Sequence, residues 1–175
     1  MFLTTSMSGK YRPANDAGLA SMEQFDRRPG WMLRGHLQRK GREGEEDTVK
    51  KAACPDCGGK LMLFEKRNMP LFDTKCTNCG FMAQIKTPEG RPKTRVNGAG
   101  YGVLRKWLDA GNPVPPLIVN SRWETGQQIR LYKDIPESHI KPRKLSPNHR
   151  YAGYGVFAYV RLDQLPYTTL YAKSD

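Results

Sequence analysis

The chain has 175 residues, of which 38% are hydrophobic, enough for one domain of ordinary size with a packed core. Lys and Arg number 29 against 17 Asp and Glu, and the net charge of +12 favours nucleic acid as the partner. No apolar run approaches the ~20 residues that a membrane span needs, and the N-terminus lacks the features of a secretory signal. We therefore expect a cytoplasmic protein with no membrane partner.

The first part of the chain has little hydrophobic periodicity. Residues 1–30 are rich in Ser, Gly, Pro, Asp and Arg, a composition that predicts a disordered basic tail. Residues 31–39 could form a short helix, and the charged run 41–47 predicts either a loop or the start of a helix. We expect the folded domain to cover residues 31–175.

A regular alternation of strands and turns begins near Lys60. Strands are predicted at 61–64, 70–75, 81–86, 116–121, 128–133 and 154–162. A basic loop rich in Pro and Gly is expected at 87–98. Residues 99–110 predict a helix, because Tyr101, Leu104 and Leu108 fall on one helical face, and Gly111 suits its C-terminal cap. This order of elements predicts a mixed α/β fold.

Two CxxC pairs stand 18 residues apart, and their four members are the only cysteines of the chain: Cys54, Cys57, Cys76 and Cys79. This spacing is typical of a structural zinc site with four thiolate ligands. A glycine follows each pair, at Gly58 and Gly80, as a tight turn around a metal requires. The alternative is two disulfides or four unrelated thiols, which nothing else in the composition favours. A zinc ribbon indicates no particular function.

Three polar residues are predicted to converge beside the second cysteine pair. Asp73 lies three residues before Cys76, and Gln84 and Lys86 share one face of the strand at 81–86. A hairpin between these segments would bring Asp73 beside the partner strand. Asp73 could then hold Mg²⁺, the Gln84 amide oxygen could add a weaker ligand, and Lys86 could stabilise phosphoryl charge. The alternative is a set of polar surface residues on a hairpin.

The stretch from Cys54 to Pro166 resembles the catalytic domain of the DpnI-type methyl-directed restriction endonucleases, within the PD-(D/E)xK nucleases. The resemblance is carried by CPDCG and CTNCG, by FDTKC and QIK, by VNGAGYGVL, and by RKLSPNHRYAGYGVF with LDQLP. It implies a mixed sheet with an embedded four-cysteine zinc ribbon, and a type II restriction enzyme-like phosphodiester hydrolase. It further implies Mg²⁺ dependence and cleavage of double-stranded DNA at GATC-like sites that carry N6-methyladenine.

The resemblance also assigns site residues. Asp73 and Lys86 fall at the positions of the family's catalytic Asp and Lys, whereas Gln84 stands where the family has Glu. The substitution removes one charge from the expected Mg²⁺ site. The candidates for a compensating carboxylate are Glu45, Glu46, Asp47 and Glu65.

Contacts to DNA are expected from the basic loop and from aromatic residues. Arg91, Lys93 and Arg95 are predicted to touch phosphates. Apolar or aromatic contact would read the methyl groups in the major groove. The candidates for that contact are Trp107, Trp123, Tyr151 and Tyr154. We expect the protein to act as a monomer.

Two alternative functions remain open at this point. The first is a catalytically weak or inactive zinc-ribbon protein that binds methylated DNA, which the neutral Gln84 favours and the presence of Asp73 and Lys86 disfavours. The second is an RNA-binding zinc ribbon of a ribosomal or transcription protein. It explains the charge and the cysteines but leaves the RYAGYG segment at 150–155 without a role.

Overall fold

The computed structural model describes residues 34–65, 71–146 and 155–174. The chain divides into two units, residues 1–37 and 38–175, and all the elements below lie in the second except the start of the first helix. The tail predicted at 1–30 and the aromatic candidates Tyr151 and Tyr154 lie outside the described residues. Within them, no helix has the length and apolar character needed to cross a membrane.

The described residues form two helices and nine strands, and the predicted mixed α/β class is confirmed. The helices are α1 (Arg34–Lys51) and α2 (Tyr101–Asp109), with short 3-10 turns at Glu137–His139 and Leu162–Gln164. The strands are β1 (Leu61–Leu63), β2 (Thr74–Cys76), β3 (Met82–Lys86), β4 (Val96–Ala99), β5 (Leu117–Trp123), β6 (Gly126–Tyr132), β7 (Ile140–Arg143), β8 (Val156–Tyr159) and β9 (Thr168–Lys173).

Six strands form the main sheet in the order β1-β2-β3-β5-β6-β9, and a smaller sheet has the order β4-β8-β7. Neighbours in the main sheet are antiparallel except β3 and β5, which run parallel with Gln84 opposite Leu117. A parallel pair needs a crossover connection, which here contains β4 and α2. The sheet is therefore mixed, and its parallel step joins the antiparallel strands β1, β2 and β3 to the other three.

The central strands are buried on both faces. Ile118 packs in one apolar cluster with Ile85 and Ile129, against which Val49 of α1 lies. Leu117 packs in the other cluster, which includes Leu104 of α2. Successive side chains of β5 point to opposite faces of the sheet, and both faces are covered. The strand is therefore a continuous apolar run in the sequence.

The helix predicted at 99–110 is confirmed as α2. Leu104 is fully buried, while Tyr101 and Leu108 pack at the margin of the same cluster. Gly111 has a φ of 80°, and its N–H donates to the carbonyl of Leu108 at 2.8 Å. A left-handed residue after the last turn favours glycine, so the predicted C-terminal cap is also confirmed.

The N-terminal part of the domain differs from its prediction. The short helix at 31–39 and the loop or helix start at 41–47 are replaced by the single helix α1, which ends at Lys51. The glycines at 41 and 44 lower helix propensity and hid the helix in the sequence. Tertiary packing overrides that preference, because buried Gly44 brings α1 against Thr87 at the end of β3.

Two strand boundaries also differ. The strand predicted at 70–75 is described as Thr74–Cys76, and residue 70 lies outside the described residues. The N–H of Phe64 still donates to the carbonyl of Asp73 at 3.2 Å, in the register of the β1–β2 pair. The loop predicted at 87–98 ends in β4, whose residues pair with β8. Strands β7 and β9 were not predicted, since both are short segments with largely exposed residues.

Replacing Gly44 with Ala is expected to destabilise the protein, although Ala is the better helix former by about 1 kcal/mol. A Cβ at Gly44 would lie 2.6–2.7 Å from side-chain atoms of Thr87 and would push α1 away from the sheet. Gly41 is the matched control, since a Cβ there meets nothing within 4 Å. Gly41→Ala should therefore stabilise the protein in denaturant unfolding, and a stabilising Gly44→Ala would contradict the close contact.

Candidate functional site

The four cysteines come together at one end of the main sheet. Their sulfur atoms all lie within 4.8 Å of one another, with Cys54 and Cys79 3.5 Å apart and Cys57 and Cys76 3.5 Å apart. A tetrahedron with Zn–S bonds of about 2.3 Å places sulfur atoms roughly 3.8 Å apart. All four are free thiols. The cluster could therefore hold one metal ion such as zinc.

The backbone of each pair is folded for this purpose. Gly58 and Gly80 both have positive φ, at 70° and 78°, as expected for the residue that turns the chain after each pair. Backbone N–H groups of Cys79 and Asn78 lower the pKa of the Cys76 thiol to about 6. Because a thiolate is the form that binds a metal, these amides favour the ligating state.

Cys76 ends β2 and Cys79 lies in the connection to β3, while at their other end the two strands separate at Asp73. The N–H of Asp73 still donates to the carbonyl of Ala83 at 3.0 Å, but the next backbone pairing is missing. The carboxylate replaces it, since Oδ2 of Asp73 accepts the N–H of Ile85 at 2.7 Å. Asp73 is therefore held beside residues 83–85, where the hairpin argument predicts it.

Two charged side chains lie beside this carboxylate. Nζ of Lys86 is 4.0 Å from Oδ2 of Asp73, and each of these side chains is about one-quarter exposed. Glu45 comes from α1; burial and the charge of Asp73 raise its pKa to about 7, against the opposing effect of Lys86 and Arg42. Asp73 and Lys86 thus form a partly buried pair, and Glu45, whose carboxylate lies 3.9 Å from Arg42 of its own helix, is near enough to feel both charges.

Gln84 lies on the same strand but points into the core. Its amide oxygen accepts a hydrogen bond from the hydroxyl of Tyr159 at 2.9 Å, and its side chain is buried. Burial, with a smaller effect from the charge of Asp73, raises the pKa of Tyr159, so its phenol stays protonated as the donor. An amide oxygen has two lone pairs, so this bond leaves one available.

Of the four acids suggested as compensating carboxylates, Glu45 is the one coupled to Asp73. Glu46 forms an ion pair with Arg42 at 3.1 Å, and Glu65 is exposed at the end of β1. Asp47 faces the sheet. Its burial would raise its pKa, but hydrogen bonds, above all from Lys51, outweigh this and lower the value.

Tyr159 was not predicted to belong to this site. In the sequence it is one apolar position of a strand, 75 residues after Gln84, and nothing local connects the two. Only the fold brings β8 over the face of the sheet that carries Gln84.

The basic loop after β3 is attached to the hairpin of β5 and β6. The N–H of Gly90 donates to the carbonyl of Arg122 at 2.7 Å, and the Arg91 guanidinium lies 5.6 Å from the ring centroid of Trp123. Arg91, Lys93 and Arg95 are all exposed. The loop therefore presents three cationic side chains from a fixed backbone.

The two described tryptophans differ in their surroundings. Trp107 packs edge-on against Phe72, and its indole N–H donates to the carbonyl of Pro113 at 2.7 Å, so it is tied into the core. Trp123 is half-buried at the hairpin end, with Arg91 near its ring and Gly126 in close contact with it. Of the two, Trp123 is the one placed beside the basic loop.

No protein-family model matches the chain.

We expect one zinc ion per chain, bound by the four cysteines, as measured by elemental analysis of folded protein. Cys57→Ser and Cys79→Ser should each lower zinc occupancy and destabilise the connection between β2 and β3, since structural zinc binding is coupled to folding. Well-folded protein with no bound metal would contradict this assignment.

Proposed function

We propose that the protein is a Mg²⁺-dependent endonuclease that cleaves double-stranded DNA carrying N6-methyladenine, at GATC-like sites. The observation that carries the proposal is the Asp73 carboxylate, fixed by the N–H of Ile85 and paired with Lys86 where β2 and β3 separate. Glu45 of α1 lies within electrostatic reach of this pair. The substrate is inferred from the resemblance to the DpnI-type nucleases. The net charge of +12 supports a polyanionic partner.

The donor set suits a divalent cation with oxygen ligands. Asp73 and Glu45 would hold Mg²⁺, and the free lone pair of the Gln84 oxygen would add a neutral ligand. Repulsion between the Asp73 and Glu45 carboxylates contributes to the raised pKa of Glu45, and a cation bound between them would relieve it. When bound, Mg²⁺ polarises the scissile phosphate and acidifies a water.

The chain's own residues would orient the reaction. The N–H of Ile85 fixes the Asp73 carboxylate, so this ligand needs no reorganisation when a cation arrives. The Lys86 ammonium, 4.0 Å from Asp73, is close enough to stabilise charge on a phosphoryl oxygen bound there. Tyr159 holds the Gln84 amide in one orientation through its hydroxyl.

The exposed cations of the basic loop would contact DNA phosphates. Arg91, Lys93 and Arg95 lie in the segment that leaves the end of β3, a few residues after Lys86. Because Gly90 is bonded to the β5–β6 hairpin, the loop and the cleavage site are held by adjoining strands. Trp123, beside Arg91, is our candidate for the contact with a methylated base.

Cleavage should require Asp73 and Lys86. We expect Asp73→Asn and Lys86→Gln each to lower the rate about 100-fold or more, the loss typical of a charge-stabilising group, while fold and zinc content are kept. Glu45→Gln should raise the Mg²⁺ concentration needed for half-maximal rate. Glu43→Gln is the matched control, since Glu43 lies on the same helix, pairs with Arg39 at 3.6 Å and should leave this value unchanged.

The substrate for these assays is plasmid from adenine-methylating and non-methylating hosts, incubated with Mg²⁺. Cleavage of the methylated plasmid alone supports the proposal. If Asp73→Asn cuts at the wild-type rate, the assignment of the active site is wrong. Equal cutting of both plasmids would show that cleavage does not depend on adenine methylation.

The basic loop is tested by the salt dependence of DNA binding, measured in the absence of Mg²⁺. Arg91→Gln should weaken binding and reduce the slope of log K against log salt by about 0.9, the value for one lost phosphate contact. Arg105 is the control, because its guanidinium is bound to Asp109 and Glu137. An unchanged slope for Arg91→Gln together with a reduced slope for Arg105→Gln would place DNA on another surface.

A non-catalytic reader of methylated DNA is the second candidate, and one contact favours it. The Gln84 amide is neutral and already engaged by Tyr159, as a structural residue would be. This candidate predicts selective binding of methylated DNA without cleavage at any Mg²⁺ concentration. The plasmid assay therefore separates the two functions.

A further inference from the structure

We propose that a buried polar network between α1 and the main sheet positions Glu45 for cation binding. Its members are Asp47, Thr48, Lys51, Asn120 and Gln127. The inference rests on the proposed function, because it assigns these five side chains a role at the site formed by Asp73, Lys86 and Glu45. None of them would touch the cation; they are positioning residues.

Asn120 is the centre of the network. It is fully buried in β5, and its amide nitrogen lies 2.9 Å from Oγ1 of Thr48 and 3.2 Å from Oδ2 of Asp47, with a longer approach of 3.4 Å to the carbonyl of Gly44. Its amide oxygen accepts a hydrogen bond from Gln127 at 2.8 Å. The amide nitrogen of Asn120 thus contacts residues 44, 47 and 48, which lie on one side of α1.

The remaining contacts close the network into a ring. Gln127 donates to Oδ2 of Asp47 at 2.5 Å, and Lys51 donates to the amide oxygen of Gln127 at 2.6 Å. Lys51 also lies 2.8 Å from Oδ1 of Asp47. Both carboxylate oxygens of Asp47 are therefore engaged, and Asp47 is not available as a cation ligand.

Apolar packing alone would not fix the rotation of α1. On this face of the sheet, the apolar contacts come from Val49 of α1 and from Ala52 just after the helix, both small side chains that constrain rotation weakly. Hydrogen bonds between buried groups have one satisfied geometry, and any other arrangement leaves a buried polar group unpaired. The network therefore selects one rotation and one register of the helix.

That rotation decides where Glu45 points. Residues 44, 47, 48 and 51 lie on one stripe of the helix, and Glu45 lies about 100° round the axis from Gly44. Gly44 faces Thr87, the residue after Lys86, so Glu45 lies beside the end of β3. A rotation of about 30° would move a side-chain tip ~6 Å from the axis by about 3 Å and would change the position of Glu45 relative to Lys86 and Asp73. Gly44 sets the distance of the helix from Thr87, and the network sets its rotation.

The test measures Mn²⁺ binding to the zinc-loaded protein by titration calorimetry, without DNA. Asn120→Leu and the milder Thr48→Val should each raise the Mn²⁺ Kd about tenfold or more, the range found for residues that orient metal ligands. Thr48→Val removes one hydroxyl and keeps the side-chain volume, so it tests the inference if Asn120→Leu does not fold. Gln128→Leu is the matched control, one residue from Gln127 on the opposite face of β6, and should leave Kd unchanged.

A double-mutant cycle separates positioning from general destabilisation. If the network acts through Glu45, Thr48→Val should have no further effect on Kd in the Glu45→Gln background. An equal loss in both backgrounds, or an unchanged Kd in the single variants, would overturn the inference. Asp73→Asn separates a failure of the proposed cation site from a failure of this inference. If Asp73→Asn does not weaken Mn²⁺ binding, both the cation site and the inference fail. If Mn²⁺ binding depends on Asp73 but not on Thr48 and Asn120, only the inference is overturned.

Discussion

The hydrogen bond from the N–H of Ile85 to the carboxylate of Asp73 is the contact on which the rest of the site depends. It replaces a backbone hydrogen bond at the point where β2 and β3 separate, so the Asp73 carboxylate is positioned by the backbone of β3. The register of these strands decides which residue occupies that position, and a slip by one would turn Asp73 to the other face. The four cysteines hold the connection between the two strands. A metal ion there would stabilise the register and, through it, the carboxylate, although it lies outside the site.

A partly buried carboxylate is unfavourable by itself, and a second negative charge within electrostatic reach makes it more so. Asp73 comes from the strand junction and Glu45 from α1, with Lys86 offsetting part of their repulsion. Burial of like charges costs stability unless something compensates it. Helix α1 is nevertheless bonded to the sheet by polar groups. In the proposed function, a cation held by Asp73 and Glu45 would offset the cost of bringing these charges near one another.

The parts of the site that the sequence predicted are those fixed by local rules. The cysteine spacing predicted the cluster, and the short hairpin predicted Asp73 beside the strand that carries Lys86. Gln84, predicted to join them, points into the core and bonds to Tyr159. The bond between Tyr159 and Gln84 could not be predicted, because nothing in the sequence around a tyrosine in an apolar strand indicates which residue its hydroxyl will contact. Helix α1 was missed because glycine propensity at 41 and 44 concealed a helix that packing stabilises. Without that helix, the sequence offered four acids and no reason to prefer Glu45.

The neutral Gln84 fits its buried position better than a carboxylate would. Its amide oxygen accepts a hydrogen bond from the hydroxyl of Tyr159, and both side chains are buried. A glutamate at position 84 would bring a charge into this environment and would need a further partner, since burial of an unpaired charge is costly. In the proposed site, the second acidic ligand would therefore come from α1 rather than from β3, while the amide at position 84 is held by the core at lower electrostatic cost.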